Sequence, residues 1–317
     1  MTTNPGLHVV FGTGAIGMAL IEKLNRSGRS VRAVNRSGRA RVPDGVDVVG
    51  GDATNTEFAK TASADAGVVY FCLNPPYTQW PTLFPPMQAA VIEGAASAGA
   101  KLVVMENLYM YAPMHGQPLT EDLPHTATTR KGSLRAQMAA DLMEAHETGK
   151  VRATAGRASD YFGPRGLLSA MGERVLYPAL AGKKAQVMGD PDQLHTYSYI
   201  PDIATGLAIL GEHDAADGKA WHLPNAPTLT TRQFIEQVFK AAGTETGIQA
   251  MPGWMMNTVG LFNGNVRELK EMLYEFEEPF VVDDSKFEAA FGSHATPLTE
   301  AIGTTVDWFR ANPKQSK

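Results

Sequence analysis

The stretch HVVFGTGAIGMALIEKL, residues 8–24, decides the fold of this chain of 317 residues. It holds the pattern G-x-G-x-x-G between an apolar run typical of a strand and a segment typical of a helix. The first glycine permits a tight turn, the second lets the backbone approach a pyrophosphate, and the third lets helix and strand pack closely. We therefore predict a dinucleotide at the start of this helix, in contact with Gly12, Thr13, Gly14, Ala15, Ile16 and Gly17.

The end of the predicted second strand, residues 31–35, indicates which dinucleotide is bound. A carboxylate at this place grips the adenosine ribose hydroxyls of NAD in many such sites. This chain instead has Asn35, followed by Arg36 and Ser37. Guanidinium and hydroxyl donors suit a 2′-phosphate, which an acid would repel. We therefore favour NADP(H) over NAD(H), with these three residues as contacts.

Strand and helix patterns alternate along the first third of the chain. Strands are predicted at residues 46–49, 67–73 and 101–105, and helices at 56–62 and 84–98. This alternation predicts an α/β fold, a Rossmann doubly wound parallel sheet whose ligands collect where the strands end. The residues at those ends that we predict to contact the cofactor are Asp52, Ala53, Leu73, Asn74 and Pro75.

The length of the chain exceeds what one compact core usually holds, so a second domain is expected. We predict an NAD(P)-binding Rossmann domain over residues 1–165, with a returning segment near 195–212. Residues 166–317 are predicted to form a smaller α/β substrate-binding cap, with helical patterns at 231–242 and 265–276.

Composition narrows the class of protein. The net charge is −5 and no run of lysine or arginine stands out, so we expect neither nucleic acid nor a membrane as partner. Cys72 is the single cysteine, which rules out an internal disulfide, and the histidines lack metal-ligand spacing, so no metal is expected. With no leader pattern and no long apolar stretch, a cytoplasmic location is expected.

Six segments carry a resemblance to a known family. They read GTGAIG, GGDA, NLYMY, LTED, RASDYFGP and YIPDIA, at residues 12–17, 50–53, 107–111, 119–122, 157–164 and 199–204. Together they resemble the extended short-chain dehydrogenase/reductase superfamily, the NAD-dependent epimerase/dehydratase group, and the glycine pattern is similar to that of its atypical branches. The resemblance implies that the 157–164 loop lines the nicotinamide. It also implies a terminal strand at 279–286 and a terminal helix at 299–309.

The catalytic residues depart from that family, which normally uses a serine or threonine, a tyrosine, and a lysine four residues after the tyrosine. Here Asn107 takes the serine position, and the segment KGSLR puts Lys131 and Arg135 at the other two. The spacing of four residues places both side chains on one helical face. Lys131 either acts as the proton donor or binds the nicotinamide ribose. Arg135 cannot shuttle protons at a pKa above ~12, so it would hold a carboxylate or phosphate, or keep Lys131 deprotonated.

Other side chains are candidates for the substrate site. Tyr109 follows the fifth strand and is an alternative proton donor. Tyr161 and His195 are candidate substrate contacts. Trp254 belongs to a methionine-rich and aromatic stretch, residues 251–256, that suits an apolar pocket, core packing or the contact of a homodimer.

We expect from these features an NADP(H)-dependent oxidoreductase that acts on a small carbonyl or related unsaturated compound, with a non-standard proton donor. One alternative is an NAD(P)-dependent epimerase or dehydratase that retains its cofactor. The other is a non-catalytic NADP-binding redox sensor, which the altered catalytic residues favour.

Overall fold

A parallel sheet of seven strands forms the centre of the protein in this computed structural model, which describes residues 6–251 and 270–314. Its strands are β1 (Leu7–Phe11), β2 (Ser30–Asn35), β3 (Asp47–Gly50), β4 (Ala66–Phe71), β5 (Lys101–Glu106), β6 (Arg152–Arg157) and β11 (Ala220–His222). They lie in the order β11-β6-β5-β4-β1-β2-β3, and every neighbouring pair is parallel. The predicted Rossmann α/β fold is confirmed.

Six short strands form three further pairs, β7 with β10, β9 with β12, and β8 with β13. These strands are β7 (Tyr161–Phe162), β8 (Ala185–Met188), β9 (Leu194–His195), β10 (Ser198–Tyr199), β12 (Leu229–Thr230) and β13 (Ile248–Met251).

Local capping sets where several helices begin. The side chains of Asn55, Thr129 and Thr230 accept hydrogen bonds from backbone N–H groups of the first turns of α2, α4 and α7. The described helices are α1 (Ala15–Arg26), α2 (Thr56–Ser63), α3 (Trp80–Ser97), α4 (Arg130–Glu147), α5 (Glu173–Leu180), α6 (Ile200–Glu212), α7 (Thr231–Ala242), α8 (Tyr274–Glu277), α9 (Ser285–Phe291) and α10 (Leu298–Ala311).

Two sequence predictions differ from the structure. Residues 279–286 do not form a strand, because Phe280 and Val282 each make only an isolated bridge to a single residue, and α9 already begins at Ser285. The helix predicted over 265–276 lies partly outside the described residues, and within them only the single turn α8 is present.

The strands divide their side chains between two hydrophobic layers, because successive residues of a strand point to opposite faces. Val9 and Phe11 pack toward α2, α3 and α4, whereas Val10 packs toward α1, α6 and α9. A third core joins α5, α7 and α10 in the second half of the chain.

The second half of the chain also contributes to the main sheet and to one of its hydrophobic layers. β11 extends the main sheet beside β6, and Phe287 of α9 is buried in the layer beneath α1. The part that returns to the sheet therefore includes more than residues 195–212. The boundary near residue 165 stays a prediction.

Candidate functional site

The glycine turn lies where β1 ends and α1 begins, and its glycines are required by close backbone approaches. Gly12 has φ +111°, and a Cβ there would lie 2.6 Å from the carbonyl oxygen of Cys72. A Cβ on Gly17 would lie 2.0 Å from the carbonyl oxygen of Gly12. Gly14 differs, since a Cβ there would meet no atom within 4 Å. It is the N-cap of α1, and no side chain caps the first N–H groups of that helix. Open backbone at a helix N-terminus suits an anion.

Both polar atoms of the Asn35 side chain form hydrogen bonds at the turn after β2. Its Nδ2 donates to Thr13 Oγ1 and to the Arg39 carbonyl oxygen, each at 3.0 Å. Its Oδ1 accepts from the backbone N–H groups of Ser37 and Gly38, at 3.0 and 2.8 Å. Asn35 thus ties the glycine turn to the loop that follows β2. It has no N–H left to donate to a ribose, so a direct contact with the cofactor stays a prediction.

A cleft opens at the carboxyl end of the strands. It brings together five residues that the sequence predicted as cofactor contacts: Asn35, Arg36, Asp52, Ala53 and Leu73. Its apolar walls are Phe11, Val34 and Met87. Hydrogen bonds from the backbone and hydroxyl of Thr54 lower the pKa of the Asp52 carboxyl, so this residue of the cleft lining is a carboxylate at neutral pH.

The loop after β4 is held by an indole. Trp80 Nε1 donates to Asn74 Oδ1 at 3.1 Å and to the Pro75 carbonyl oxygen at 2.9 Å. The ring of Trp80 also stacks on Tyr77, with 4.8 Å between centroids. Asn74 and Pro75 therefore have fixed positions beside a pair of aromatic rings.

Two tyrosines and a lysine meet after β4 and β5. The hydroxyl oxygens of Tyr77 and Tyr109 lie 2.7 Å apart. Lys131 Nζ lies 5.5 Å from the centre of the Tyr77 ring, within the range of a cation–π contact. Burial raises the pKa of both phenols, so they remain protonated at neutral pH. Asn107 accepts a long hydrogen bond, 3.4 Å, from the Tyr109 N–H.

Glu271 binds the start of α4. Its carboxylate accepts from the Lys131 backbone N–H at 3.1 Å and pairs with Lys131 Nζ at 3.3 Å and Arg130 Nε at 3.2 Å. Burial opposes its ionisation, but these three contacts outweigh burial and lower the pKa of the Glu271 carboxyl. Lys131 is only 3 % exposed and so belongs to the interior of the site rather than to the solvated surface.

Arg135 lies one turn further along α4 and does not line the cleft. It is 1 % exposed, packs 4.8 Å from the centre of the Phe84 ring and lies 3.7 Å from Glu106 Oε1. Arg157 donates to the other oxygen of the same carboxylate at 2.9 Å, and to the Tyr111 hydroxyl at 2.6 Å. The prediction that Arg135 holds a carboxylate fits this contact, but the carboxylate is that of Glu106 at the end of β5. Arg135 therefore anchors α4 to the sheet.

The loop after β6 places further acidic and aromatic groups near the phenols. His195 is 2 % exposed, and its Nε2 lies 3.1 Å from Asp160 Oδ2. The neighbouring Tyr161 is partly buried, and burial and the Asp160 charge raise its pKa. The third candidate substrate contact, Trp254, lies outside the described residues.

Sequence reasoning missed three residues of this site: Tyr77, Asp160 and Glu271. Asp160 lies within the segment RASDYFGP that had been singled out, and Tyr77 follows Pro75 by two residues, so the place of each after a strand was a usable signal. No local signal marks Glu271, because it reaches the site only through packing across the chain.

Within the described ranges 6–251 and 270–314, no three His, Cys, Asp or Glu side chains are grouped so as to hold a metal ion. None of the helices there has the length and apolar character needed to cross a bilayer.

Comparison with known proteins places this geometry in a family context. A sequence model of the NAD dependent epimerase/dehydratase family matches residues 9–223. The search of curated proteins returned no significant match. Among solved structures, UDP-glucose 4-epimerase of Thermus thermophilus in complex with NAD has a TM-score of 0.77 at 19 % identity, covering 97 % of this chain and 100 % of that one.

Two other solved structures have the same architecture. An epimerase of Methanothermobacter thermautotrophicus has a TM-score of 0.80 at 16 % identity, covering 97 % of this chain and 93 % of that one. The dTDP-glucose 4,6-dehydratase of Bacillus anthracis in complex with NAD has a TM-score of 0.78 at 14 % identity, covering 97 % of each chain. At these identities the likeness shows the fold alone.

Proposed function

The chain belongs to the NAD dependent epimerase/dehydratase family, and we propose on that basis that it moves a hydride between a nicotinamide dinucleotide and a carbon–oxygen centre of a small substrate. The observation that carries this proposal is the glycine turn. Gly12 and Gly17 are fixed by close backbone contacts while Gly14 leaves the N-terminus of α1 open. A pyrophosphate fits such an opening.

The residues that would hold the cofactor follow from the cleft. The turn at Gly14 would take the pyrophosphate, and Asp52 would accept a hydrogen bond from the adenine amino group. Arg36 is exposed at the rim of the cleft, where its guanidinium would bind a 2′-phosphate. This position supports NADP(H), whereas two of the structural neighbours are named as complexes with NAD.

The cofactor, when bound, supplies or accepts the hydride. This chain's own part is to place groups at the reacting oxygen. Tyr109 and Tyr77 present protonated hydroxyls, and Lys131 adds a positive charge beside them. Hydroxyl donors and a cation stabilise negative charge that develops on a substrate oxygen. They take the place of the family's usual tyrosine and lysine, since none of the nine tyrosines in the sequence is followed by a lysine four residues later.

Family membership supports an epimerase or dehydratase in which the hydride returns to the same substrate and the cofactor stays bound. A second candidate is an NADPH-dependent reductase of a small carbonyl or related unsaturated compound. One observation favours it: Asn35 takes the place of a ribose-binding acid, and the exposed Arg36 follows it.

One sequence of measurements separates these candidates. Purified protein is denatured and the supernatant assayed for released dinucleotide, then the protein is titrated with NADPH and NADH, and turnover is followed by NADPH absorbance with a panel of carbonyl compounds. Retained dinucleotide with no net consumption of NADPH supports the epimerase or dehydratase. Exchangeable NADPH with turnover supports the reductase. Selective binding without any turnover supports a redox sensor, and no binding of either dinucleotide refutes the proposal.

The NADP preference has its own test with a matched control. Arg36→Ala should weaken NADPH binding roughly 10- to 150-fold, the equivalent of one charged hydrogen bond of about 1.5–3 kcal/mol, and leave NADH binding unchanged. Arg41→Ala removes an exposed arginine from the same loop that does not line the cleft, and it should affect neither. Equal losses for both dinucleotides in Arg36→Ala would refute the phosphate contact.

A further inference from the structure

The ring of His195 is held in one orientation by its surroundings. It lies at the end of β9, where it stacks on Tyr197, Phe276 and Phe280 with centroid distances of 4.5, 4.9 and 5.2 Å. Its interplanar angles with these rings are 28°, 9° and 25°. A ring stacked on three others cannot rotate freely, so its two nitrogens keep distinct partners.

Those partners fix the number of protons on the ring. Nδ1 lies 3.0 Å from the backbone carbonyl oxygen of Glu275, which can only accept, so Nδ1 carries a hydrogen. Nε2 lies 3.1 Å from Asp160 Oδ2. A neutral imidazole with its hydrogen on Nδ1 has a lone pair on Nε2, and a carboxylate offers only lone pairs as well. A second proton therefore lies between Nε2 and Oδ2, and the pair is either imidazolium with carboxylate or imidazole with carboxylic acid.

His222 provides a comparison within the same chain. Its Nδ1 lies 2.9 Å from the backbone carbonyl oxygen of Asp283, and its Nε2 lies 3.3 Å from the Tyr111 hydroxyl. Here the phenol supplies the hydrogen to Nε2, so no second proton is needed on the ring. Burial lowers the pKa of His222 to about 4, which keeps it neutral at neutral pH. In both histidines Nδ1 contacts a backbone carbonyl oxygen, but only in His195 does Nε2 face a carboxylate.

Asp160 connects this proton to the candidate site. The Asp160 side chain is 21 % exposed, whereas that of His195 is 1 % exposed, so the proton reaches open space through the carboxyl group. Asp160 also lies at the same edge of the sheet as the phenols, because it follows β6 as Tyr77 and Tyr109 follow the adjacent parallel strands β4 and β5. In keeping with this position, the Asp160 charge adds to burial in raising the pKa of both phenols.

We propose that Asp160 is a catalytic proton donor and acceptor of this site and that His195 is the positioning residue that holds its proton. This inference rests on the proposed function. In the reducing direction the proton leaves the Asp160–His195 pair for the substrate oxygen through an Asp160 oxygen, a new O–H bond forms, and two electrons arrive at the carbon as hydride. The pair is left as carboxylate and neutral imidazole, and it regains a proton from water at the exposed carboxylate. In the oxidising direction the same carboxylate accepts the hydroxyl proton.

The first test measures the proton without turnover. Asp160→Asn keeps the shape of the side chain but cannot hold an ionisable proton with Nε2. We expect the ¹⁵N signals of His195, assigned by comparison with His195→Gln, to show a proton shared by Nε2 in the wild type at neutral pH and only the neutral Nδ1–H form in Asp160→Asn. Asp192→Asn, which neutralises an exposed carboxylate paired with Arg232, should give the wild-type signals. Wild-type signals of the neutral Nδ1–H form would overturn the proposal.

The second test separates failure of this inference from failure of the proposed function. Once a substrate is identified, Asp160→Asn should lower kcat by at least about 100-fold with little change in KM. It should also remove one limb of the profile of kcat against pH. Unchanged kcat and pH profile in a variant that still binds dinucleotide would refute the role of Asp160 and leave the proposed function standing. A wild-type protein that binds no dinucleotide would remove both.

Discussion

Replacing Gly14 by alanine should weaken dinucleotide binding while leaving the fold intact. The backbone of Gly14 has φ −71° and ψ −172°, which any residue adopts, and an added Cβ would meet no atom within 4 Å. The change costs at most about 1 kcal/mol of helix capping. In the presence of a pyrophosphate the same methyl group would stand between the phosphate and the N–H groups of α1. Loss of one charged hydrogen bond, about 1.5–3 kcal/mol, would raise Kd roughly 10- to 150-fold.

Gly17→Ala is the contrasting variant, because its defect lies in the folded protein itself. A Cβ at Gly17 would lie 2.0 Å from the carbonyl oxygen of Gly12, where about 3.5–4 Å is an unstrained distance. The opposing atom is backbone, so the helix must shift, at a cost near the upper end of the ~1–3 kcal/mol typical of overpacking. For a chain of this length that is a fall in Tm of roughly 4 °C.

The assay pairs thermal unfolding without ligand with a fluorescence titration by NADPH and NADH. Gly14→Ala should keep Tm to within about 1–2 °C and lose affinity, whereas Gly17→Ala should lose both. Gly303→Ala, within α10 at a position with no atom near the added Cβ, should lose neither. Wild-type affinity in Gly14→Ala would refute the placement of the pyrophosphate over this residue.

Three further outcomes are expected. Lys131→Met should abolish turnover, because it removes the cation beside the phenols. Arg130→Met, which changes an exposed partner of the same Glu271, should retain turnover. Normal kinetics in Lys131→Met would exclude a role of Lys131 in the reaction. Burial lowers the pKa of His222 from 6.5 to about 4, so its contribution to stability is present above pH 6.5 and is lost as pH falls toward 4. In urea unfolding at pH 7 and pH 4, His222→Gln should therefore lose about 3 kcal/mol less than the wild type, and equal losses would contradict this. Burial raises the pKa of Glu275, so this carboxyl favours the folded state below its usual pKa, and that contribution is lost as pH rises. Glu275→Gln should therefore gain stability over the wild type from pH 5 to pH 8. Parallel curves of unfolding free energy against pH would count against a buried, protonated carboxyl.

The sequence predicted the parts of the fold that depend on a single element. Strand segments at residues 46–49, 67–73 and 101–105 lie within two residues of β3, β4 and β5, because a buried strand needs a continuous apolar run. α3 begins four residues before its predicted start, at Trp80, since Pro81 is tolerated in the first turn of a helix. The prediction of a terminal strand was wrong because Phe280 and Val282 each bridge a single residue of a distant segment.

The glycine turn was also predictable, since Gly12 and Gly17 are required by backbone contacts within the first βα unit and with Cys72 directly after β4, and Gly14 leaves the N-terminus of α1 open. The chemistry of the site was only partly readable. The resemblance to the family indicated Lys131 and Arg135, but their side chains have different partners in the structure. Lys131 contacts Glu271, 140 positions later in the chain, and Arg135 contacts Glu106.

What the sequence by itself determined is the alternation of strands and helices and the place of the dinucleotide turn, because these follow from local periodicity and from the close backbone approaches that require glycine at Gly12 and Gly17. Only the tertiary structure decided which polar groups meet. The contact of Asp160 with His195 joins residues 35 positions apart, and that of Tyr77 with Tyr109 joins residues 32 positions apart. Such contacts depend on how the crossover connections pack against one sheet, and no sequence pattern within a single segment indicates which side chains will meet there.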